Sequence, residues 1–211
     1  MKEGGAMRIL CRAGGAFVLS LALVLVAPAA WLVPISPLVA VATDALSPHL
    51  EMVSVDAEGA EMHAQGKFHL DLTLSNGEGL PDFRAWWRKA VWKVRGVLVV
   101  AVTIWACPFA GWRRRLLLFP VMLAAAACVS AYDLGIEIQE TILRDLVPKV
   151  LQDSPLAQSV ANQTTLDQLN TWHQWILRVR QINEGGGRMF LAILAGWIGY
   201  AIPLRTRLFR N

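Results

Sequence analysis

The chain has 211 residues, 55% of them hydrophobic and 17% charged, with a mean hydropathy of +0.43. That balance excludes ordinary soluble and disordered composition and points to a small multi-span membrane protein. A net charge of +4 does not indicate nucleic acid, since the basic residues are not gathered with aromatics into one patch, and the three cysteines, Cys11, Cys107 and Cys128, show neither CxxC nor zinc-type spacing.

Residues 1–15 read as a cytoplasmic tail carrying Lys2, Arg8 and Arg12, and 16–42 as a first transmembrane helix. Pro28, Pro34 and Pro37 are expected to kink or end that helix in its outer half. The alternative is a cleaved signal peptide, with Phe17 to Val26 as its apolar core and Ala27-Pro28-Ala29 as the cleavage motif. Apolar sequence continues past that point, which favours an anchor.

From Asp44 to Asp82 eight acidic residues face Lys67 alone. Two alternating stretches, Val53, Val55, Ala57 and Phe68, Leu70, Leu72, Leu74, with turn signals at Gly59, Gly66 and Asn76-Gly77, predict a small extracytoplasmic β hairpin or meander over 43–81. Over 82–95, the spacing of Phe83, Trp86, Trp87, Ala90 and Val91 predicts an interfacial amphipathic helix, with Trp86, Trp87, Arg88, Lys89 and Trp92 at the headgroups.

Two apolar runs follow, 96–112 and 116–132, joined by Arg113, Arg114 and Arg115. Each Arg at mid-bilayer costs roughly 2.5–3.5 kcal/mol, so the triplet is expected to be a cytoplasmic turn between the second and third spans. Ala124 to Ala127, Cys128, Ser130 and Ala131 give the third run a small-residue surface for helix packing.

Residues 133–187 read as an extracytoplasmic helical region. A first helix ends around Pro148 to Pro155; a second, from about Ser154 to Asn183, carries Leu169, Trp172, Ile176 and Val179 at helix-seam spacing. Gly185 to Gly187 then break the chain, and 188–204 read as a fourth, short span before the cytoplasmic tail 205–211 with Arg205, Arg207 and Arg210. The fold class expected is a mainly α membrane protein with about four transmembrane helices, a β hairpin or meander and an extracytoplasmic helical hairpin. With both termini cytoplasmic, that side holds nine basic residues and one acid, against eleven and fifteen elsewhere. This asymmetry orients the chain with both termini cytoplasmic, and the location expected for it is the bacterial inner membrane.

No catalytic, cofactor or metal residue is expected. His49, His63 and His69 share the acidic segment, but no HxH or HExxH pattern organises them as ligands. Thiol catalysis by Cys128 would need a base or donor such as His173 or Arg144 brought to it, and an alanine-rich helix with one cysteine more often just packs. Transport is disfavoured by the lack of ionisable residues inside spans and of an internal repeat. Asn162-Gln163-Thr164 fits a glycosylation sequon, which means little in a bacterium.

The order of VAPAAWLVPISPLVAVATDAL, SPHLEMVSVDAEGAEMHAQGKFHLDL and CVSAYDLGIEIQETILRDL resembles, over roughly residues 20–150, the small integral membrane proteins encoded beside exosortases. Exosortases are bacterial transpeptidase-like enzymes that process tagged export substrates. The resemblance implies a non-catalytic accessory role in envelope protein sorting and carries over no catalytic residue. Expected partners are membrane lipid and a membrane or extracytoplasmic protein, not nucleic acid. The expected partner face is Phe68, Leu70, Leu72 and Leu74 with Leu169, Trp172, Ile176 and Val179. A membrane enzyme dependent on Cys128, or a small transporter or sensor subunit, is the competing class.

Overall fold

The computed structural model describes residues 3–47, 49–69, 82–87, 112–152, 160–187, 189–191 and 193–194. Its elements in chain order are α1 (Glu3–Val26), α2 (Pro28–Leu46), β1 (Leu50–Glu58), β2 (Glu61–Phe68), β3 (Phe83–Trp87), α3 (Trp112–Gln152) and α4 (Val160–Ile182), closed by a π-type turn, Asn183–Gly187.

The break between α1 and α2 falls at Ala27, which leaves helical geometry at φ −130° and ψ 62°. Proline disfavours helical geometry in the residue before it and is well tolerated in the first turn after it, so Pro28 ends one helix and starts the next. Pro34 and Pro37, expected to kink or end the helix, lie inside α2 instead. Burial of Leu32, Ile35, Ser36 and Val39 holds that segment helical despite the missing N–H donors.

The sheet is three-stranded and antiparallel, in the order β1-β2-β3. Glu58 pairs with Glu61, so Gly59 and Ala60 form a two-residue turn, and the φ of +60° at Gly59 suits the first central position of a type II′ turn. The register shifts between Met52 and Ser54. That bulge exchanges the faces of β1: Leu50 and Met52 come to lie with Val55 and Ala57 toward the core, while Val53 is thrown outward, 55% exposed. Simple alternation groups Val53 with Val55, and the bulge separates them. The inward face is completed by Met62, Ala64 and Gly66 of β2.

Residues 83–87, expected as the start of an amphipathic helix, form β3 and pair with Gly66 through Met62. A short aromatic run satisfies either period, and the open edge of β2 decides for strand. Arg88, Lys89 and Trp92 of the expected interfacial helix lie outside the described residues, as do Leu70, Leu72 and Leu74.

The four-helix membrane architecture is overturned. Among the described residues one helix, Pro28–Leu46, is long and apolar enough to cross a membrane. The expected third span is the front part of the 41-residue α3, which runs on through Asp133 and Pro148 to Gln152 without the expected ends. Ala126 and Ala131 of that apolar run are spent on the internal core, with Leu134, Ile136, Ile138 and Leu143. Arg113, Arg114 and Arg115 fall in the first turn of α3, not in a loop. The run 96–112 lies outside the described residues, apart from Trp112 at the start of α3, as do most of 188–204 and the tail with Arg205 and Arg207.

The core joins α2, α3, the sheet's inner face and α4. Gly135 sets how closely α2 and α3 approach: a Cβ there would sit 3.2 Å from Thr43 Oγ1 and 3.3 Å from the Thr43 backbone N. At the far end, Gly186 has a φ of +107°, and a Cβ on Gly187 would meet the Ile182 carbonyl at 2.8 Å, so the glycine triplet ends α4 as its composition predicts.

Candidate functional site

The last four carbonyls of a helix have no partner within it. In α2 the Thr43 carbonyl is one of these, buried with its residue, and the Gln139 side-chain Nε2 donates to it at 2.6 Å. The other end of the same amide, Oε1, accepts from the Trp172 indole N–H at 3.0 Å. Gln139 has no exposed surface, so one amide ties α2, α3 and α4 together where water is excluded. His49, between α2 and β1, lays its ring against Trp172 at a centroid distance of 5.6 Å. Thr43 completes the joint by donating its own hydroxyl to the Val39 carbonyl at 2.8 Å.

A second polar group lies between α3 and the end of α4, a shallow notch lined by Asp133, Glu137, Glu140, Arg180, Asn183 and Glu184 over Ile136. Asp133, Glu137 and Glu140 step by four and three along one face of α3. Arg180 bridges them to α4: its Nη1 pairs with Glu140, which is 93% buried, and its Nε donates to Glu184 at 2.8 Å. The Asn183 amide donates to Asp133 at 3.3 Å. Burial, and then the charge of Asp133, push the Tyr132 phenol above its ordinary pKa. Asp133, Glu137 and Glu140, expected to mark a return to polar surroundings, lie instead at the α3–α4 joint, where Arg180 compensates Glu140 and Asn183 donates to Asp133.

The outward face of β1 is the third feature. Glu51, Val53, Asp56 and Glu58 are exposed along it; the His69 Nε2 lies 2.9 Å from Glu51 and the His63 Nε2 4.0 Å from Glu58. The three histidines therefore have separate neighbours: an indole and two different carboxylates. Among the described residues no group of three metal-ligating side chains comes together.

The expected partner face is largely turned inward. Leu169, Trp172 and Ile176 are buried and Val179 packs against them, so the seam is occupied by the chain's own core, and Phe68 is half-buried against the same cluster. Cys128 is exposed on α3. Arg144 is sixteen positions further along that helix, roughly 24 Å away by helical rise, and pairs with Asp145, so it does not serve Cys128. Trp86 and Trp87 belong to β3.

Sequence reasoning missed Gln139, Arg180 and Thr43. One signal was present: Gln139 stands three residues after Ile136 and four before Leu143, a polar residue placed on an apolar seam. Compared with protein-family models, curated proteins and solved structures, the chain matches none.

Proposed function

We propose that the chain is a non-catalytic accessory protein of the bacterial inner membrane, anchored by its N-terminal helices, that acts in envelope protein sorting or assembly by holding a partner protein. The observation that carries this reading is the division of its surface. The seam of α4 is consumed internally and the buried polar groups of both joints are compensated within the fold. Among the described residues, the surfaces left outward include an apolar N-terminal one and the acid-rich face of β1.

The β1 face suits a partner with basic residues flanking a small apolar group. Glu51, Asp56 and Glu58 supply the charge, and Val53, displaced outward by the bulge, supplies an exposed apolar contact between them. The Asp44 carboxylate accepts the Met52 N–H at 2.8 Å beside this face, fixing where β1 leaves the helix.

Photo-crosslinking residues placed at Val53 and at the buried Met62 test the reading in host membranes. A discrete protein adduct is expected from position 53 and none from position 62, and the adduct should be lost when Asp56 and Glu58 are both changed to Lys. Position 53 yielding no protein adduct would contradict the proposal.

A further inference from the structure

α2 is apolar all the way round. Leu32, Ile35 and Val39 face the core, and on the opposite side Val33, Leu38 and Val41 are exposed by 53%, 40% and 66%. A helix at the surface of a water-facing fold carries polar residues on its outer side; one that is apolar on both sides is surrounded by apolar material. Its 19 residues rise roughly 28 Å, close to the thickness of a bilayer's hydrocarbon core. The last turn of α1 continues the same surface with exposed Leu25 and Val26.

Charge is sorted along the chain. Arg8 and Arg12 lie toward the start of α1, the outward apolar surface follows, and it stops at exposed Asp44, after which the sequence continues to Glu51, Asp56 and Glu58. A basic end, an apolar band and an acidic end form the profile of a bilayer crossing with its basic end in the cytoplasm. A protein partner laid along the helices would not call for this sorting of charge.

Little chain separates α2 from the sheet. β1 begins at Leu50, Ser47 Oγ accepts the His49 N–H at 3.1 Å, and the inner side of α2 is already part of the core. We infer that the outward face of α2, with the last turn of α1, is a lipid-contact surface ending at Asp44. This rests on the membrane-anchored reading above and adds which residues meet acyl chains and where they stop.

The test uses the purified full chain in vesicles of phosphatidylethanolamine and phosphatidylglycerol, photolysed with an uncharged aryl diazirine dissolved in the acyl chains, with adducts mapped by mass spectrometry. Adducts are expected at Val33, Leu38 and Val41, with only background at Val53, which is equally apolar and exposed but lies beyond Asp44. Background labelling at the three α2 positions would overturn the lipid contact; labelling of Val53 as strong as that of Val41 would overturn the boundary. Because the vesicles contain no other protein, neither result depends on whether a partner binds the β1 face.

Discussion

Replacing Gln139 with Leu is expected to destabilise the protein by roughly 2–4 kcal/mol, because two buried groups lose their partners at about 1–3 kcal/mol each. The Thr43 carbonyl, an open end of α2, and the Trp172 indole N–H are both buried and both bonded to this one side chain. Leu is close to Gln in volume, so the loss is not a cavity effect. In detergent micelles the melting temperature followed by tryptophan fluorescence should fall by roughly 5–15 °C. Trp172→Phe removes only the indole donor and should cost less. The double variant should fall short of the sum of the singles, because both act through one amide. Fully additive costs would show that the three helices are held independently.

Arg180→Leu comes next, with an expected loss of roughly 1–3 kcal/mol, set by two opposing considerations. Glu140 has 9% of its side chain exposed, and removing its cationic partner leaves a carboxylate where solvent reaches it poorly. Breaking a fully buried pair costs about 3–5 kcal/mol; the 39% exposure of Arg180 lowers the figure through solvent screening. Converting Glu140 to Leu as well should restore much of the stability, since two packed apolar side chains avoid the desolvation that the ion pair had to offset. Denaturation midpoints of the two singles and the double settle this. A double variant less stable than Arg180→Leu would mean that the carboxylate is held by other groups of the notch.

These two joints mark the limit of what the sequence made readable. The 3-4-3 spacing of Leu169, Trp172, Ile176 and Val179 identifies α4 and its apolar side, because a long periodic stripe needs no tertiary knowledge. What covers that stripe is a tertiary fact, and the fold covers it with its own core, so a seam expected to be a partner surface proves to be interior. In β1 the error is one residue: a bulge at Val53 is invisible to alternation, yet it reverses which side chains face inward. β2 gives little signal because its inward residues, Met62, Ala64 and Gly66, are partly small and contrast weakly in hydropathy with His63 and Gln65. The acids of α3 look like a solvated stretch, since the partners that compensate them, Arg180 and Asn183, are 40 and 50 residues away in sequence.

The apolar runs are the most misleading signal. Hydropathy marks residues that avoid water and does not say whether lipid or protein replaces it. With acyl chains on the outer side of α2, as inferred above, both answers hold on opposite sides of one helix. In α3 the internal core takes Ala126 and Ala131.

The most direct test of partner holding is the mass of the particle extracted from host membranes in polymer-bounded nanodiscs. A second polypeptide is expected in addition to this 23.2 kDa chain, lost when Asp56 and Glu58 are replaced by Lys. A particle that contains the 23.2 kDa chain alone in every preparation would contradict the proposed function.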